Sequence, residues 1–174
     1  MKKDAYRNDY FWDIDLLRGR IVMSYDIMFD GPPDLLVDDG LDGDAVMRLS
    51  GVKYIDAVGM IGVELDDVAI FDLIEEGGCR YYLGSYLIDC LDQVELSRVY
   101  YPVDHNPRIL GVGFLSMLSF LQKEDTISWI CSIRPLAFIV VEVLDLVVNN
   151  SAFFLSDETL SRIGSCRSKI SKGC

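Results

Sequence analysis

The stretch that most constrains this chain is Arg108-x-x-Gly111-x-Gly113. A strand-like apolar run, Val94–Tyr101, precedes it, and a run with helical spacing, Phe114–Leu121, follows. A glycine-bearing loop between a strand and a helix start makes an anion site. The first N–H groups of a helix have no intrahelical partner, and the helix dipole is positive at that end. Glycine lets the main chain approach a phosphate with no Cβ in the way. The loop is not of the nucleoside-triphosphate type, because no Gly-Lys-Ser/Thr follows. It is not of the dinucleotide type either, because no third glycine completes that spacing.

Composition sets the outer limits. A chain of 174 residues is the size of one domain and is long enough to bury a core. Hydrophobic residues make up 51%, which argues against disorder. Sixteen basic against 28 acidic residues give a net charge of −12. Such a surface repels nucleic-acid phosphates and anionic membranes and favours a cationic ligand or partner. The five cysteines form no Cys-x-x-Cys pair, so the sequence predicts neither a zinc site nor a disulfide framework, and it predicts a reducing, cytoplasmic setting. Met1-Lys2-Lys3 leads into polar residues, which does not read as a signal peptide. The most apolar run, Leu136–Val148, is too short to span a bilayer and holds Glu142 and Asp145.

Periodicity then suggests the elements. Tyr6, Tyr10, Phe11, Ile14 and Leu17 predict a short amphipathic helix. Alternation at Met23, Tyr25 and Ile27 predicts a strand over Ile21–Phe29. The segment from Asp34 to Asp44 is the densest acidic stretch. It fails the EF-hand pattern, since a loop starting at Asp38 puts Gly40 at the third position and Leu49 at the twelfth. It reads as a solvated loop or a rim that attracts cations. Strands are expected at Val52–Leu65, Val68–Ile74, Arg80–Cys90, Val94–Tyr101 and Ile127–Ile133, which makes the middle third a β meander. Pro135 in a first turn predicts a buried helix over Leu136–Val148, with a strand as the alternative that its β-branched content leaves open. A short strand follows at Ser151–Leu155, and Ser156 has the character of an N-cap, with Asp157 and Glu158 behind it. The basic tail from about residue 164 is expected to fray.

The glycine loop resembles the coenzyme-A loop of the GNAT-type N-acetyltransferase superfamily, Gln/Arg-x-x-Gly-x-Gly/Ala between the fourth strand and the third helix. That resemblance implies one α+β domain with a mixed, mostly antiparallel central sheet flanked by helices. It implies acetyl-coenzyme A as cofactor and an amine acceptor, on a small molecule or a protein. The diphosphate would rest on the backbone N–H groups of Arg108, Ile109, Leu110, Gly111, Val112, Gly113 and Phe114. Pantetheine would run along the strand edge at Val99 and Tyr101. Glu95 holds the place of the base that takes the amine proton. In this family a tyrosine after the next strand commonly protonates the leaving thiolate. None occurs beyond Tyr101, so Ser132 or Cys131 would have to act, or no acid is used. His105, the sole histidine, sits beside the loop. A homodimer is compatible with this picture. Two alternatives stand beside it: a degenerate GNAT-like binding or regulatory module, and an acidic interaction protein that neutralises a basic partner by charge mimicry.

Overall fold

Ile14, Leu17, Ile21 and Tyr25 recur at the spacing of one helix face, and all four are buried. In the computed structural model they lie along a single helix, α1 (Ala5–Met28). The structure describes residues 5–35, 43–65, 67–100, 108–150 and 152–174. After α1 come α2 (Gly43–Leu49), a π turn (Met60–Glu64), α3 (Ile70–Leu73) and the long α4 (Glu76–Tyr100). Then follow β1 (Arg108–Ile109), α5 (Val112–Leu121), α6 (Glu124–Ser132), α7 (Arg134–Asn149), β2 (Phe153–Phe154) and α8 (Asp157–Gly173). The two short strands pair in parallel, Arg108 opposite Phe153 and Ile109 opposite Phe154.

This corrects the expected α+β class. Among the described residues there is no mixed antiparallel central sheet; the fold is helical, with one two-stranded parallel clasp. The strands expected at Ile21–Phe29, Arg80–Cys90, Val94–Tyr101 and Ile127–Ile133 lie in α1, α4, α4 and α6, apart from Phe29 and Ile133, which each follow the last residue of the helix, and Tyr101, which is outside the described residues. Val68–Ile74 contains the turn α3, and Val52–Leu65 is a run of turns ending in the π turn. The cause is burial on every side. From Tyr81 to Leu91 every residue of α4 is buried, because α1, α3, α5, α7 and the π turn all pack around it. A helix without a solvent face has no polar stripe, and its apolar run imitates an interior strand. At Ile21–Phe29 the imitation has another source: Met23 and Ile27 are apolar yet exposed, so they counterfeit a two-residue alternation around Tyr25.

Hydroxyl groups wire the segment before the π turn to α4. The Tyr54 N–H donates to Tyr81 Oη at 3.2 Å, and Ser85 Oγ donates to the Tyr54 carbonyl at 2.6 Å. Tyr82 Oη donates to the Leu49 and Val52 carbonyls. Tyr25 lies flat against α4 where Gly84 has no side chain, since a Cβ there would come within 2.8 Å of the ring. Each buried hydroxyl in this cluster has a partner, as burial without one costs roughly 1–3 kcal/mol.

The C-terminal segment, including the basic tail from about residue 164, lies in α8. Ser156 Oγ accepts from the Thr159 N–H at 3.1 Å, the predicted N-cap, and α8 then buries Ile163, Cys166 and Ile170. Its end is joined to α6 by a Cys131–Cys174 disulfide, where the sequence predicted no disulfide framework; Cys79, Cys90 and Cys166 are free thiols.

Candidate functional site

The Arg108–Phe114 stretch does fold as strand, loop and helix start, but the strand is Arg108–Ile109 and not the run before it. Gly111 is the N-cap of α5, and its carbonyl accepts from the Leu115 N–H. No side chain caps that end, and the N–H groups of Val112, Gly113 and Phe114 have no partner among the described residues. The amide series is nevertheless not free throughout. The Arg108 N–H already donates to the Ala152 carbonyl at 2.7 Å, because β2 pairs with β1. Leu110, Gly113 and Phe114 are buried, so Ile109 and Val112 are the parts of the stretch most open to solvent.

The Arg108 side chain turns into the protein. Its guanidinium donates to Asp89 Oδ2 on α4 at 2.6 Å, and both side chains are largely buried. Gly62 of the π turn lies against the same carboxylate. Charge taken out of water is tolerated when it is paired and hydrogen-bonded. Arg108 thus ties the clasp to α4 and stands as a structural cation.

The other expected site residues are dispersed. Glu95 is on α4 and accepts from Arg18 on α1 at 2.6 Å, beside Asp92, which accepts from the same guanidinium at 2.7 Å. Burial works to lower the Arg18 pKa, but the hydrogen bonds to Glu95 and Asp92 outweigh it and leave that pKa raised. Ser132 ends α6, exposed, and donates to the Trp129 carbonyl at 2.6 Å. Cys131, in its disulfide, has no thiol proton to give. Val99 lies in the last turns of α4. Tyr101, His105, Asp38, Asp39 and Asp42 lie outside the described residues. Among the described residues no three His, Cys, Asp or Glu side chains are grouped to hold a metal ion, and no helix is long and apolar enough to cross a membrane.

Two surface features emerge instead. The first is segregation of charge. Residues 26–76 hold 14 of the 28 acidic residues and only Arg48 and Lys53 of the 16 basic ones, so this segment holds the whole net charge of −12 and the remainder is neutral. Asp26, Asp30, Asp34, Asp44, Asp56, Asp67, Asp72, Glu75 and Glu76 in it are all exposed. Only Glu76, paired with Arg80, joins an ion pair among the described residues. Elsewhere Arg18, Arg108 and Arg167 are spent on internal carboxylates. The acidic stretch at Asp34–Asp44 pointed here, but it is a fraction of the charged segment.

The second is a groove of about 550 Å³ between α1 and α7, lined by Arg20, Met23, Ser24, Ile27, Arg134, Pro135 and Phe138. The signal for it in the sequence was an apolar pair four residues apart on a helix face that the core stripe leaves outside.

No protein-family model, no curated protein and no solved structure matches this chain.

Proposed function

We propose that this chain is an acidic helical interaction protein whose 26–76 segment docks on a basic surface of a partner protein, such as the nucleic-acid groove of an enzyme, and neutralises it. The observation that supports this most is that the entire net charge of −12 falls in one segment while the rest of the chain is neutral. Solubility alone is served by dispersed charge. Concentrated charge of one sign steers association with an oppositely charged surface and suppresses other partners.

The test holds net charge constant and moves its location. One variant replaces Asp30, Asp34, Asp44 and Asp67 with Asn; the other replaces Glu124, Asp125, Glu142 and Glu158 with their amides. Binding to an immobilised arginine-rich peptide is followed against salt concentration. The first variant loses affinity and salt dependence, and the second keeps both. Equal losses in the two variants refute the assignment.

A second reading is supported by the uncapped start of α5. The N–H groups of Val112, Gly113 and Phe114 have the character of a phosphate cradle, and acetyl-coenzyme A is the ligand that the glycine spacing suggests. An amine acceptor and acetyl transfer belong to this reading. A thermal shift with coenzyme A that Gly113→Arg removes supports it; no shift at millimolar cofactor rejects it.

A further inference from the structure

The groove between α1 and α7 joins an apolar floor to unneutralised cations. Met23 and Ile27, one turn apart on α1, are 67% and 83% exposed, and Phe138 on α7 is 51% exposed. Water-exposed apolar groups that face one another across a groove are a binding surface awaiting an apolar occupant. Arg20 holds its guanidinium 5.8 Å from the centre of the Phe138 ring. Arg134 opens α7, at the positive end of that helix. Neither arginine forms an ion pair among the described residues, and no Asp or Glu lines the groove, in a chain with 28 of them.

Size narrows the occupant. About 550 Å³ falls within the range of small-molecule pockets. Seven lining residues are far fewer than the roughly 20–30 that a protein partner covers on each side. Charge narrows it further, because a neutral apolar ligand leaves both guanidiniums unused and a cationic one is repelled.

We propose that this groove binds a free single-chain fatty acid as its carboxylate. The alkyl chain lies along Met23, Ile27 and Phe138, and the carboxylate meets Arg134. Arg20, engaged over Phe138, roofs the chain and adds a weaker attraction. The groove shares only Ile27 with the acidic segment proposed to meet a basic partner, and none of that segment's carboxylates lines it.

The probe is decanoate, which stays monomeric at the concentrations needed, measured by titration calorimetry on the full chain. Expected is one-to-one binding in the micromolar range. Arg134→Gln weakens it about tenfold, the worth of one charge-assisted contact. Arg134→Lys recovers part of the loss, Arg20→Gln costs less, and decan-1-ol binds weakly. Circular dichroism verifies that these surface variants are folded. Several outcomes overturn the proposal: no heat with millimolar decanoate, equal binding by Arg134→Gln, sedimentation with anionic phospholipid vesicles but no binding of free decanoate, or a dimer that Phe138→Asp dissociates.

Discussion

Gly62 and Asp89 touch without room for another atom. A Cβ built on Gly62 would overlap the Asp89 carboxylate, with even the farther oxygen only 2.9 Å away. The carboxylate cannot swing clear, because it is buried and its Oδ2 accepts from Arg108. Glycine is required here by close approach, and not by a backbone angle. Gly62→Ala is therefore expected to displace Asp89 from Arg108 and destabilise the fold by roughly 3–5 kcal/mol, the cost of breaking a buried ion pair. Asp89→Asn should cost a similar amount. Because both act on one contact, the double variant should fall well short of the sum, as read from urea midpoints.

Glu95 stands in contrast. It shares Arg18 with Asp92 at a half-exposed site between α1 and α4. Arg18 also pairs with Asp15, so removing one of three carboxylates from a partly solvated guanidinium leaves no orphaned charge, and Glu95→Gln should cost less than about 1 kcal/mol. The measurement is the same urea titration, with Asp89→Asn as the reference. If Glu95→Gln is the more damaging of the two, the ranking of these ion pairs by burial is wrong.

Alkali should unfold the protein through its tyrosines. Burial raises the Tyr25 pKa well above the ordinary value, and it also raises those of Tyr54 and Tyr82. In the unfolded chain these phenols ionise near pH ~10. The neutral form is thus favoured in the fold. Its contribution is fully present below the unfolded pKa and is lost as pH climbs through it toward the folded values. Stability should be flat from this source up to about pH 9 and then fall. Tyrosinate absorbance from the buried set should appear together with the loss of helical dichroism, not before it.

The disulfide gives a fourth prediction. Cys131 and Cys174 are 43 residues apart in sequence, and the bridge fastens the end of α8 to α6. Closing a loop of that length restricts the unfolded chain, so Cys174→Ser should cost about 2–4 kcal/mol. Hydrogen exchange should quicken in the last turns of α8, where Gly173 packs on Ile127. Cys79 should remain inert to thiol reagents at neutral pH, because burial pushes its pKa up to about 12.

The sequence announced those elements whose local chemistry is decisive. Ser156 with its acidic followers, Pro135 in a first turn, the apolar stripe of α5 and the short strand at Phe153–Phe154 all lie where they were expected. What stayed hidden is what depends on neighbours. Arg80–Cys90 reads as strand until one knows that five elements surround that part of α4. Arg108 reads as a ligand cation until Asp89, 19 residues earlier, is found beneath it. The two halves of the groove are more than 100 residues apart in sequence, Met23 and Ile27 against Phe138, and no window of residues contains both.

The Tyr81–Leu91 length of α4 has no outside. It is an axle that touches only other parts of the machine, so nothing arriving from solution can read it. Whatever this protein recognises, it must do so with what is hung around that axle, and those outer pieces are free to diverge in sequence as long as they still fit the shaft.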